Sequence, residues 1–379
     1  MRSFLVSVLV IISINTYSQK INISLFNDYS VTSFVASVEK GSYSLRQNGQ
    51  EIQILKKHEN LYVSLVGNAI SITIKGKSNQ TYSHVSFISE EDSEIRIRPV
   101  NPVLKPHTYI EDISVSVDFN RLLLINRLPF KEYLTGVVEA EGGTSSFPEY
   151  YKAQATLCRT YAVANKNRHI EEGFNLCDGT HCQAFKGIAT KNQMIGKAVT
   201  ETSNIVVVDS DKKLITAAYH SNSGGITQDA TNVWLVDLPY LQSIKDPYSL
   251  NRRNSKWQKI LHRKQWENYF LGYLPDKIPP DNYTMIVHKR EKNYRVENIN
   301  VPYTQIRKDW NLRSSFFSVY DSGTSIVIKG RGYGHGVGMS QEGAMEMANQ
   351  GHSFSEIIHF YFKNVSIVPA EIQTFDPQK

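Results

Sequence analysis

"RLLLINRLPFKEYLTGVVEAEGG" (Arg121–Gly143) is the stretch on which the fold turns. Its first eight residues read as a strand, and from Pro129 the pattern changes to helix. Proline suits a first helical turn, Leu134, Val137 and Val138 fall on one face, and Gly142-Gly143 stops the run. A second helix is expected to open at Ser146-Phe147-Pro148-Glu149, a capping box, and to continue through Ala164. A strand passing straight into two helices, with more strands on either side and no regular βαβ rhythm, predicts an α+β architecture rather than a doubly wound sheet.

Upstream, Lys20 to about Arg98 is strand-like. "NLYVSLVGNAISITIKG" (60–76) alternates apolar and polar residues, and "SYSLRQNGQEIQIL" (42–55) holds an Asn48-Gly49 hairpin signal. Three prolines in "RPVNPVLKP" (98–106) mark a boundary. The expected division is a β-rich region over 19–97, a main domain over 98–368 and a tail over 369–379. Downstream, "NIVVVDS", "KLITAAYH" and "SIVIKG" read as strands. "SQEGAMEMANQG" and "SFSEIIHFYFK" read as helices, the first stopped by Gly351 and the second opened by a capping box at Ser353 and Glu356. The polar, basic stretch 251–308 reads as a surface insertion.

The chain begins "MRSFLVSVLVIISINTYSQK". Arg2 precedes an apolar run from Phe4 to Ile12, and small residues follow at Thr16 and Ser18, the pattern of a secretory signal over 1–18. That run is well short of the roughly 20 residues a spanning helix needs. The mature protein is therefore expected to be secreted or periplasmic, without a membrane span. The 42 Lys and Arg exceed the 36 Asp and Glu by six, a mild surplus that suits an exported protein meeting an anionic cell wall. No cluster demands nucleic acid as a partner. Three cysteines are too few for a disulfide framework.

Glu139 and Glu141 stand two residues apart on the first helix, separated by about 200°, so they cannot act as a pair in one cleft. Glu141 lies at the helix C-terminus, where unpaired carbonyls disfavour a carboxylate and raise its pKa. That is the condition of a general acid, and equally of a plain solvated carboxylate. In "RHIEEGFNLCDGTHCQAFKG" (168–187), His169, Cys177, His181 and Cys182 could form a tetrahedral zinc site, or Cys177 and Cys182 a disulfide; spacing leaves the two level. Cys158 reads as a buried thiol. The glycines of "KGRGYGHGVGMSQ" (329–341) alternate at 330, 332, 334, 336 and 338, which rejects a dinucleotide fingerprint. An extended segment would bare one face there and project Tyr333 and His335 from the other; a tight loop with positive φ is the alternative. "YHSNSGG" (219–225) has no nucleophile elbow, so a serine hydrolase is rejected.

Together, "INRLPFKEYLTGVVEAE", "KAQATLCRTYAVAN", "HSNSGG" and "GRGYGHGVGMSQEGA" resemble the SpoIID/LytB family, in the family's order and over about residues 95–365. The resemblance implies an extracytoplasmic domain acting on peptidoglycan glycan strands: in the catalytic members a lytic transglycosylase, in the enhancer branch a wall-binding module that stimulates a peptidoglycan amidase. It implies Glu141 as the catalytic residue, although Gly142-Gly143 stands where Met-Pro is often found. It implies substrate-positioning roles for His220, Ser221, Tyr333, His335 and Gln341. Lys152, Gln154 and Arg159 on the second helix are expected to support Glu141 or the glycan, with a plain solvated face as the alternative for Lys152. It also tips the Cys/His cluster towards a structural Zn2+ held by four protein ligands.

Overall fold

The computed structural model describes residues 19–73, 79–234, 236–274 and 278–370. The expected signal segment, and the tail from residue 371, lie outside the described residues. The architecture is α+β. A seven-stranded sheet runs in the order Leu176–Cys177, Lys20–Leu25, Arg121–Pro129, Asp112–Asp118, His84–Ser89, Ser42–Gln47, Gln50–Lys56. A six-stranded sheet runs His107–Ile110, Glu94–Asn101, Ser33–Lys40, Asn60–Val66, Ala69–Thr73, Gln80–Tyr82. Both contribute to one core that holds Phe34, Leu61, Ile97, Phe87, Val115 and Leu124.

Local sequence explains these strands. Arg121–Pro129 buries Leu122, Leu124, Asn126 and Leu128 and turns the intervening residues outward, the period of two that a strand imposes. Each buried leucine contributes about 1.5–3 kcal/mol. Buried Asn126 donates its amide N–H groups to the carbonyls of Ile110 and Asp112, which offsets part of the cost of burying it. The Asn48-Gly49 turn has φ of 47° and 82°, both positive, as the tight hairpin requires.

The boundary expected at 98–106 opens inside the strand Glu94–Asn101. Lys20–Leu25 pairs with Arg121–Pro129 along its whole length, from Lys20 against Pro129 to Leu25 against Leu124. Strands from both sides of the expected division therefore share one sheet and one core.

Among the described residues the helices are α1 (Phe130–Gly142), α2 (Pro148–Ala164), α3 (Gln193–Glu201), α4 (Thr231–Trp234), α5 (Arg263–Leu271), α6 (Tyr303–Asp309), α7 (Gln341–Asn349) and α8 (Phe354–Tyr361). The capping box at Ser353 and Glu356 is present, and Ser340 caps α7 through the Gly343 N–H. The box expected at Ser146 is not. Pro148 takes the first helical position and makes Phe147 the cap, so Glu149 arrives one position early. Its carboxylate instead accepts the Phe354 N–H at the start of α8, at 2.8 Å. "KLITAAYH" is strand only at Tyr219–His220, which pairs in parallel with Met339–Ser340.

The stretch expected as a surface insertion builds a second core. Trp266, Phe270, Tyr283, Tyr294, Tyr303 and Phe317 pack together beneath a three-stranded sheet of Lys256–His262, Ser325–Arg331 and Phe317–Asp321. Among the described residues, no helix is long and apolar enough to cross a membrane.

Candidate functional site

Glu141 is the penultimate residue of α1, and Gly143, at φ 74°, turns the chain away. The carbonyls left free at this helix end are met by side chains: Gln341 Nε2 donates to Glu141 O (2.9 Å), Tyr150 OH to Gly142 O (3.2 Å) and Tyr151 OH to Gly143 O (3.3 Å). The helix end is thus fixed, and the glutamate with it. The half-buried carboxylate accepts the Ala184 backbone N–H on Oε1 at 2.7 Å. Burial raises its pKa; the Ala184 N–H and the Lys186 charge oppose the rise without cancelling it.

Glu139 points elsewhere. It accepts the N–H groups of Thr190 (3.3 Å) and Lys191 (2.9 Å), so the two glutamates grip the 184–191 segment at separate points. Glu139 is an anchor for that loop.

Gln154 and Gln341 gather at Glu141. Gln154 is fully buried, and its Oε1 lies 3.4 Å from both Tyr150 OH and Gln341 Nε2. Tyr219, Gln183 and Ala184 complete the surroundings and were not picked out in the sequence. The Tyr219 hydroxyl lies 3.4 Å from Gln183 Nε2 and 3.8 Å from Cys158 Sγ. Burial pushes this phenol well above its usual value, and the neighbouring Cys158 and Glu141 add to the rise. Its only sequence signal was adjacency to His220. Cys158 is the expected buried thiol, pushed up to about 12 by burial.

Two of the expected supports are not at the site. Arg159 is buried, and its guanidinium is consumed by Val199 O (3.1 Å), Ile205 O (3.3 Å) and Thr202 Oγ1 (3.4 Å). It ties α2 to the end of α3 and is closed to any ligand. Lys152 bridges Glu149 (2.8 Å) and Glu201 (2.9 Å), linking the same helices at the surface.

His220, Ser221, Tyr333 and His335 form a second group. The glycine-rich segment is a looped backbone rather than an extended one: Gly332, Gly334, Gly336 and Gly338 all have positive φ, from 71° to 106°. The glycines admit neighbouring chain. A Cβ on Gly338 would stand 2.2 Å from Ala218 O, and one on Gly334 2.8 Å from the His220 Cβ. The loop thereby presses onto 218–224 and sets His335 against His220, ring centroids 5.5 Å apart. The Trp234 ring centroid lies 5.4 Å from that of His335. Tyr333 is 45% exposed and free to meet a ligand. Burial holds the His220 imidazole well below its ordinary pKa and brings His335 down to about 4, so both are neutral near pH 7. Ser221 O accepts the Glu342 N–H, and Gln341 binds the end of α1; the first turn of α7 joins the two groups.

His169, Cys177, His181 and Cys182 converge, their ligand atoms all within 4.8 Å of one another, and the three cysteines are free thiols. Cys177 is placed by the sheet edge, where Leu176–Cys177 pairs with Ile23 and Ser24. Asp178 accepts the N–H groups of Phe26 and Asn27, which folds the loop back. Cys182 Sγ lies 3.5 Å from His169 Nε2 and 3.8 Å from His181 Nδ1, and Cys177 Sγ lies 3.8 Å from His181 Nδ1. A tetrahedral ion with bonds of about 2.0–2.3 Å sets ligand separations of roughly 3.3–3.8 Å. His169 Nδ1 lies 2.5 Å from Glu172 Oε1, so Nε2 is the nitrogen turned to the cluster, the outer arrangement that metal-binding histidines use. The donor set fits a zinc ion.

Comparison with known proteins agrees with this layout. A family model described as SpoIID, Stage II sporulation protein, matches residues 118–208, the strand, α1, α2 and the Cys/His loop. Stage II sporulation protein D of Bacillus amyloliquefaciens is 30% identical over 275 residues, which span 65% of this chain and 76% of that one. This chain belongs to the SpoIID family. Stage II sporulation protein D of Bacillus subtilis (strain 168) is 27% identical over 271 residues, covering 65% of this chain and 76% of that protein. The amidase enhancer of the same organism is 26% identical over 289 residues, covering 62% of this chain but 40% of the enhancer.

Proposed function

We propose that this SpoIID-family protein is an exported peptidoglycan lytic transglycosylase that cuts peptide-free glycan strands to 1,6-anhydromuramic ends, with Glu141 as acid and then base. Its coarser part, a role at the cell wall, follows from the family. The finer part rests on one observation: a half-buried carboxyl at a fixed helix end, its pKa raised by burial and one oxygen already held by Ala184 N–H.

That arrangement suits the chemistry. The protonated oxygen of Glu141 gives its proton to the glycosidic oxygen as the C1–O bond breaks and positive charge develops on the ring. The carboxylate so formed faces that charge while Ala184 N–H stabilises it. The muramic 6-hydroxyl then closes on C1, and Glu141 takes up the hydroxyl proton. One bond is broken and one formed, no water is consumed, and the enzyme regains its acid. Glycosidases that use water need a second carboxylate; here the internal hydroxyl replaces it. Tyr333, with neutral His220 and His335 behind it, is the surface on which the strand would lie. His169, Cys177, His181 and Cys182 would hold Zn2+ with all four positions filled, which gives the ion a structural role in shaping the loop that ends at Ala184.

A second reading, a non-catalytic wall-binding module that enhances an amidase, is supported by the amidase-enhancer relative and by Gly142-Gly143 behind the glutamate. Incubating the purified protein with peptide-free glycan and analysing the new chain ends by mass spectrometry separates the two: anhydro ends support the lytic reading, and intact strands the enhancer.

A further inference from the structure

The basic charge of the chain is concentrated in one place. Residues 251–331 hold 16 Lys and Arg against 7 Asp and Glu, a surplus of nine in a chain whose total surplus is six. On the outer face of the three-stranded sheet, Lys256 stands directly opposite Arg331, and Lys329 opposite Gln258 and Ser318. Like charges directly opposite are destabilising. Among the described residues none of these three cations is in an ion pair. They line a cleft of about 520 Å³ with Trp257, Tyr320 and His288, and no Asp or Glu lines it.

The cleft is shaped as well as charged. Gly330 lets the Trp257 ring lie against the strand, since a Cβ there would stand 1.9 Å from the indole, far inside van der Waals contact. Trp257 Nε1 is tied to Ser314 Oγ at 3.1 Å, Lys329 Nζ sits 5.0 Å from the Tyr320 ring, and Arg331 is held by Val287 O at 2.9 Å. On the other side of the edge strand a second cleft, of about 330 Å³, carries Lys256, Lys259 and Arg313, again without an acidic residue.

We infer that this module carries a second binding cleft, distinct from the Glu141 site, for the carboxylates of the peptide-free glycan strand. The inference rests on the substrate proposed above. Stem peptides are attached through an amide to the lactyl carboxyl of muramic acid. Hydrolysing that amide returns a carboxylate to every muramic residue and places negative charge on the sugar chain itself. Aromatic rings and lysines in one cleft match a saccharide that bears carboxylates. The cleft is tied to the glycine-rich loop of the second group. Arg331 runs directly into the loop holding Tyr333 and His335, and module residue Arg290 donates to the carbonyls of Ser223 and Ile226, both at 2.7 Å. A strand seated on the module is thereby delivered along the loop.

The test uses the full chain carrying Glu141→Gln, so that nothing is cleaved, with or without Lys256→Gln and Lys329→Gln. Binding is titrated calorimetrically at low salt against three probes: soluble peptide-free glycan, the same glycan with its carboxylates converted to methylamides, and poly(glycerol phosphate). The cleft predicts that the lysine substitutions and the amidation each weaken binding by about tenfold or more, and that binding of the unmodified glycan declines as salt rises. Both lysines lie at the surface of the sheet, so circular dichroism is unchanged. Equal affinity for the amidated glycan, no effect of the lysine substitutions, or preference for the phosphate polymer would overturn it. Absence of anhydro products from the parent protein, with these binding differences intact, would remove the lytic reading and leave the cleft standing.

Discussion

Ala184 holds the Glu141 carboxylate through its backbone N–H at 2.7 Å, and Ala184 stands two residues beyond Cys182 of the Cys/His cluster. The loop that gathers four ligand atoms is therefore the loop that positions the proposed acid. A metal bound at about a thousandfold over its Kd stabilises by about 4 kcal/mol. At roughly 2–4 °C per kcal/mol, chelation or Cys177→Ser is expected to lower the melting temperature by on the order of 10 °C. Metal analysis of the untreated protein should return one zinc per chain. An unchanged melting temperature together with no bound metal would contradict the assignment.

The raised pKa of Glu141 fixes two signs. As catalyst, the residue must be protonated, so activity is expected to fall as pH rises through its pKa. His220 and His335 are already neutral there and contribute no limb near neutrality. As a folded-state group raised above its unfolded value, Glu141 favours folding most at acid pH, and that contribution is lost as pH rises through the folded pKa. Glu141→Gln does not titrate and keeps the acceptor for Ala184. Thermal melts should show the variant gaining stability over the parent between pH 4 and pH 8; a gap that narrows over that range would contradict the desolvation argument.

Arg159 is a structural cation. Replacing it by methionine leaves the carbonyls of Val199 and Ile205 without a donor, and unmet buried acceptors cost about 1–3 kcal/mol each. Urea unfolding should register a loss of about 2–6 kcal/mol, while glycan affinity per folded molecule stays at the parent's value. A selective loss of affinity with stability intact would return Arg159 to the binding surface.

Gly338→Ala and Gly351→Ala separate close approach from backbone preference. Both glycines have positive φ, but only at Gly338 would the new methyl meet another chain segment, Ala218 O at 2.2 Å. The strain of a left-handed residue alone is about 1–2 kcal/mol. Denaturant midpoints should place Gly351→Ala at about that cost and Gly338→Ala well beyond it, with displacement of His220.

The helices α1, α2, α7 and α8 and the Asn48-Gly49 turn were legible because each has a local cause: a periodic apolar face, a cap, a two-residue turn; for His169, Cys177, His181 and Cys182 spacing left a disulfide level with a shared site, and the family resemblance tipped the reading. What escaped was set by packing between distant segments. Arg159 looks like an exposed helix cation until α3 closes over it. The alternating glycines look extended until 218–224 is laid against them, and "KLITAAYH" looks like one strand although its first part makes only an isolated bridge, Leu214 to Val208, and only Tyr219–His220 joins a sheet. The second core was hidden because Trp266, Phe270, Tyr283, Tyr294 and Tyr303 are scattered among polar residues with no sustained period. The boundary inferred from prolines at 98–106 fell where a sheet passes through, since one of its prolines, Pro99, sits within a strand.

The central claim is that a single carboxyl delivers and recovers one proton in a water-free cleavage, and isotopic labelling tests it most directly. Peptide-free glycan is digested in water enriched in oxygen-18, and the new muramic chain ends are read by mass spectrometry for the parent protein and for Glu141→Gln. The account predicts anhydromuramic ends without label from the parent and none from the variant. Labelled, hydrated ends, or undiminished anhydro ends from the variant, would contradict it.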